Sequence, residues 1–163
     1  MGDHPRIQSA HFINGIGGRY VARPGAENRD RIGFGLVMGA ELDIAIDTQT
    51  RFSLVIAGTV VREVPLEYAG ITTATWQSTS VGATVEAHFD VFERMIFLGA
   101  GLNPRAVIYA QGLPPEFDLG VVACLTAVFG PFGLSLNVGG GLRLGDIDRT
   151  SFETGLVAFL GLG

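Results

Sequence analysis

From Phe132 to Gly145 the chain alternates apolar and small or polar residues with a period of two. Phe132, Leu134, Leu136, Val138, Leu142 and Leu144 share one face with Gly140, and Gly133, Ser135, Asn137, Gly139, Gly141, Arg143 and Gly145 share the other. Successive side chains of a strand point to opposite faces, so this is a two-faced strand. The pattern recurs from Arg31 to Asp47, where Ile32, Phe34, Leu36, Met38, Leu42 and Ile44 lie opposite Gly33, Gly35, Gly39, Glu41 and Asp43. It recurs from Ser80 to Val91, where Val81, Val85, Phe89 and Val91 lie opposite Gly82, Thr84, Glu86, His88 and Asp90. With the weaker repeats, alternation predicts eight strands, at 7–23, 31–47, 52–61, 80–91, 95–102, 117–129, 132–145 and 151–162.

The connections alternate as well. Short turns are expected near Asp47–Arg51, Phe92–Arg94 and Gly130–Pro131, and longer polar links at 24–30, 62–79, 103–116 and 146–150. Short and long links then fall at opposite ends of an up-and-down meander spanning 1–163 as one domain. The uncharged run from Leu119 to Leu142 is long enough for a transmembrane helix. Gly130-Pro131 in its middle would break a helix, and the residues after it alternate as a strand does.

Composition decides which face looks inward. Only 17% of the 163 residues are charged, 24 are glycine, and the eleven basic residues are all Arg. A net charge of −5 argues against a nucleic-acid binder, and one Cys against a disulfide scaffold. A soluble lipocalin-like carrier of an apolar ligand would turn the apolar face inward and cover the outside with Lys and Glu. Here the second face is Gly, Ser, Thr and Asn with few charges, and the chain has no Lys. The apolar faces of the clearest strands carry no charge. That suits lipid, where a midplane charge costs about 2–4 kcal/mol. Phe52, Phe89, Phe92, Phe129 and Phe132 gather near the short-turn end, and Tyr20, Phe34, Phe117 and Phe152 near the other. They are placed to form two interfacial girdles. The expected fold is all-β, an eight-stranded antiparallel up-and-down transmembrane β-barrel.

The segments Ile32-Gly33-Phe34-Gly35-Leu36, Leu98-Gly99-Ala100-Gly101-Leu102 and Asn137-Val138-Gly139-Gly140-Gly141-Leu142-Arg143-Leu144 carry a family resemblance. In architecture and composition the chain resembles the small eight-stranded bacterial outer-membrane barrels of the outer membrane protein A and X type, from about Ile7 to Gly163. The resemblance implies a Gram-negative outer membrane, short periplasmic turns, long external loops and a bilayer of outer-membrane lipids as the chain's surroundings. It implies a secretory leader, which is expected to have been removed, since none begins at Met1. The family's assembly signal ends in an aromatic residue, whereas this chain ends Phe159-Leu160-Gly161-Leu162-Gly163.

With the apolar face outward, the lumen receives His11, Arg19, Glu41, Asp43, Glu86, His88, Asp90, Asn137, Arg143 and Glu153. Arg19, Arg143 and Glu153 lie on strands that become neighbours when the barrel closes. A first hairpin symmetric about Glu27 sets His11 opposite Asp43 and Ile13 opposite Glu41. The main expectation is a network of ion pairs filling a closed lumen, because buried charges must be paired. The alternative is a narrow, porin-like channel for ions or small solutes. Glu86, His88 and Asp90 alternate on one strand, but one strand is a weak basis for a metal site, so no metal or other cofactor is expected. Cys124 alternates with Val122 and Thr126 and faces the lumen as a small buried residue. Ser9 and His11 share a face near the short-turn end, too weak an arrangement for catalysis, so no enzyme is expected. Tyr68 and Trp76, in the link at 62–79, are the candidates for recognition by an external loop. The expected role is structural or anchoring, with no nucleic-acid partner and no identifiable protein partner.

Overall fold

Alternation commits each segment to an extended ribbon, and eight such ribbons pair. A computed structural model describes residues 6–22, 30–45, 51–65, 77–110 and 112–162. Its strands are β1 (Arg6–Ala22), β2 (Arg31–Ala45), β3 (Arg51–Pro65), β4 (Ser78–Phe92), β5 (Ile96–Tyr109), β6 (Glu116–Phe129), β7 (Phe132–Arg143) and β8 (Asp146–Leu162). Each pairs antiparallel with the next, and β8 returns to β1 to close the barrel. No strand edge is left for lipid to satisfy. The described residues contain no helix long and apolar enough to cross a membrane, which says nothing against crossing with strands.

Register fixes the tilt. Cross-strand partners from Phe12 run through Ala40, Ile56, Val85, Leu102, Val121, Gly140 and Phe152. The trace re-enters β1 at Ala22, ten residues further along. With eight strands, that stagger sets a tilt of about 40° and a radius of about 8 Å. Strands hold 12 to 17 residues. At this tilt even the shortest climbs about 29 Å, more than the apolar band of an outer-membrane barrel.

The faces are as the alternation predicts. Phe12, Phe34, Met38, Val121 and Phe132, each at least 60% exposed, point outward on a continuous apolar belt. Water would penalise that belt and lipid favours it. The carrier arrangement, with the apolar face inward, is therefore not the one adopted. Phe89, Phe92, Phe129 and Phe132 face out at the short-turn rim, where the Phe52 and Phe89 rings lie 6.3 Å apart. Phe34, Phe117 and Phe152 face out toward the other rim.

Inside, Ile13, Val55 and Ala57 pack together with Val37 and Phe159. The Phe159 ring lies across Gly133, where a Cβ would sit 2.1 Å from its Cζ. Glycine there gives a narrow barrel room for an aromatic ring in its lumen.

Several boundaries differ from the periodicity. β3 continues to Pro65 and β5 to Tyr109, so much of the links expected at 62–79 and 103–116 is strand. The link expected at 146–150 is also strand, and Leu144–Gly145 alone joins β7 to β8. The first hairpin is offset by two residues from the expected symmetry. His11 pairs with Glu41, Ser9 with Asp43 and Ile13 with Gly39. A slip by an even number preserves every face, so the lumen assignments survive it.

Candidate functional site in the barrel lumen

The inward side chains sort into three layers. At the end where β1 meets β2 and β3 meets β4, four arginines and four carboxylates form one connected sheet of charge. Arg19 pairs with Glu63 and donates to the Ser80 hydroxyl. Arg31 reaches the same carboxylate at 3.5 Å, donates to Ser78 at 2.7 Å, and stacks over the Tyr109 ring at 5.0 Å. Tyr109 donates to Glu116, which Arg143 holds at 2.6 Å. Arg143 lies 3.6 Å from Asp118. Arg105 spans Asp118 at 3.3 Å and Glu153. All eight strands contribute, with Ser78 and Ser80 from β4.

Burial makes the pairing obligatory. Glu63 is 2% exposed, Arg31 3% and Asp118 4%. An isolated buried ion would be very costly, but here Glu63 and Asp118 each meet two guanidiniums and charge is balanced within the layer. The layer spans the lumen at this end, from β1 to β3, β2 to β5 and β5 to β8.

Arg19, Arg143 and Glu153, on strands that are neighbours in the closed barrel, all sit in the layer, each paired with residues of other strands. Arg19 turns to β3 and β4, Arg143 to β6, and Glu153 crosses to Arg105 on β5. Arg31, Glu63, Arg105, Tyr109, Glu116 and Asp118 complete the layer and were not anticipated. Extending the parity of Cys124 back along its strand would have found Glu116 and Asp118, and the parity of Gly33 would have found Arg31.

In the middle layer, Glu86 and His88 on β4 meet Cys124 on β6. His88 Nε2 lies 2.8 Å from Glu86 Oε2 and 3.3 Å from Cys124 Sγ, and Cys124 Sγ lies 3.4 Å from Glu86 Oε2. All three are buried. Gly99 of β5 stands between them, since His88 and Cys124 are its cross-strand partners on either side. A Cβ at Gly99 would come within 2.4 Å of the His88 ring and 2.5 Å of the Cys124 sulfur, so glycine is what lets them meet. Asn137 accepts from Ser135, which accepts from Thr126, beside this cluster. A cavity of about 130 Å³ adjoins it and is lined by Glu86, His88, Thr126 and Asn137.

The lowest layer is at the short-turn mouth. Ser9 donates to Asp43 at 2.5 Å, as does Ser53 at 2.7 Å. His11 Nε2 approaches both Ser9 at 3.1 Å and Asp43 at 3.6 Å. In a hydrolytic triad the imidazole uses opposite nitrogens for the hydroxyl and the carboxylate. Here one nitrogen meets both, and the hydroxyl is already given to the carboxylate. Asp90 does not join a lumen network. It is exposed at the rim, where its carboxylate accepts the Arg94 backbone N–H at 3.0 Å and caps the β4–β5 turn. A cavity of about 230 Å³ opens here, and Glu41 and Phe97 line both it and the cavity above. Tyr68 and Trp76 lie outside the described residues.

No family model matches the chain, and no curated protein does. Solved structures do resemble it. Ail, the attachment invasion locus protein of Yersinia pestis, aligns over 94% of this chain and 97% of its own, with a TM-score of 0.53 and 13% identity. Neisserial surface protein A aligns over 94% of this chain and 99% of its own, with a TM-score of 0.48 and 14% identity. At such identities the likeness to Ail is one of fold, and the chain has the closed eight-stranded antiparallel barrel in common with it.

Proposed function

We propose that the chain is an integral β-barrel of the bacterial outer membrane with a structural or anchoring role, its short turns in the periplasm and its longer connections outside. The observation that carries this reading is an apolar exterior around a lumen spanned by a charge-balanced layer of ion pairs, in two networks joined through Tyr109, from which we infer a closed barrel. Such a barrel holds its place in lipid without offering a path through it. Binding then belongs to the connections at the sealed end, of which the one between β3 and β4 carries the recognition candidates Tyr68 and Trp76. The role is non-enzymatic, since the Ser9 hydroxyl is engaged by Asp43 rather than activated by His11.

Two measurements test this. The folded protein should require detergent and migrate faster on an SDS gel before boiling than after it. In planar bilayers it should give no conductance steps. A monodisperse protein without detergent would overturn the membrane assignment. Reproducible steps would replace the closed barrel with the narrow channel.

A further inference from the structure

We propose that Glu86, His88 and Cys124 form a binding site for a divalent transition metal, with zinc the best match, in the middle of the lumen. Thiolate, imidazole and carboxylate are the donors zinc takes, and no oxygen-seeking cation favours that mixture. Bond lengths to zinc place the donors of one tetrahedral ion about 3.4–3.6 Å apart. The two edges that involve sulfur are 3.3 and 3.4 Å. The third, 2.8 Å between His88 and Glu86, is a hydrogen bond that must open by roughly 0.6 Å to admit the ion. The donors come from two strands that are not neighbours, and they converge because the strand between them carries Gly99 at that height.

The site is also built like one with an open position. Three protein ligands leave a fourth for water, and the adjoining cavity supplies the space on the side lined by Glu86 and His88. The cavity at the short-turn mouth lies next to this one, with Glu41, Phe97, Val128 and Phe159 lining both, and entry from that side requires these side chains to move. Metal entry breaks the Cys124 S–H bond, the sulfur keeps the electron pair as a ligand, and the proton leaves to water. Binding therefore weakens as pH falls.

The test uses the full chain without a histidine tag, folded in detergent, freed of metal with a chelator and titrated with cobalt(II), then zinc. One equivalent of cobalt should bind and produce a thiolate-to-cobalt charge-transfer band with the visible bands of a tetrahedral centre, and zinc should displace it. Cys124→Ser should abolish the charge-transfer band, and His88→Gln should weaken binding by at least about a hundred-fold, since even outer partners of ligands cost 10–100-fold. His11→Ala, at the mouth, should leave stoichiometry and bands unchanged. The heat shift on SDS gels reports folding of each variant separately. If Cys124→Ser fails to fold, protection of the wild-type thiol from alkylation by one equivalent of zinc decides the matter. Absence of saturable cobalt binding by the folded wild type, a charge-transfer band that survives Cys124→Ser, or alkylation unaffected by zinc would overturn the proposal.

Discussion

Glu63 answers to two guanidiniums and a hydroxyl while almost wholly removed from solvent. Replacing it with Ala strands Arg19 and Arg31, and removing one partner of a buried ion pair costs about 3–5 kcal/mol. Glu63→Ala should therefore lower the denaturant midpoint of the folded barrel far more than Glu41→Ala, whose carboxylate lines a cavity. Gly133 gives a complementary case. A methyl there meets the Phe159 ring head-on, so Gly133→Ala should destabilise by about 1–3 kcal/mol, as overpacking does. Adding Phe159→Ala removes the clash, and the double variant should lose less than the two single losses combined. The parity of these residues was legible in the sequence, and their partners were not. Alternation says that Cys124 faces inward with Val122 and Thr126. It does not say that Cys124 stands at the height of His88, because that follows from the stagger between strands.

Each strand carries a lipid side whose tolerance depends on depth. Val121 sits near the middle of β6 and Phe129 at its short-turn end, both pointing outward. Val121→Arg should cost about 2–4 kcal/mol of stability in lipid vesicles, and Phe129→Arg about 0–1. Equal losses at the two sites would contradict a lipid-facing belt. The strands whose ends the sequence concealed are instructive. Periodicity stopped β3 before Arg62-Glu63 and β5 before Asn103-Pro104-Arg105, because charge and proline in series look like a surface loop. In this barrel Glu63 and Arg105 point into the lumen as members of the charged layer, while Arg62 stays on the outer face and donates to Gln77 and Thr79 of the neighbouring chain segment. Pro104 faces outward opposite Leu119, and the β4–β5 pairing skips Asn103 and Pro104 between Arg105 and Leu102. The rule that charge in series marks a surface loop fails for a lumen narrow enough to bury ions.

At the scale of the whole molecule, a barrel closed at its charged layer, as proposed above, is a cup rather than a tube. Two cavities, of about 230 and 130 Å³, lie in the lumen between the short-turn end and the arginine–carboxylate layer. A voltage applied across a bilayer holding this barrel would thus not be spread along the lumen. It would fall mostly across that one layer, so that the ion pairs between Arg105, Asp118 and Glu153 would bear the field. In that closed barrel, whatever binds inside would equilibrate with a single compartment, the one beneath the short turns, and would sample its ions and acidity while remaining blind to the other side.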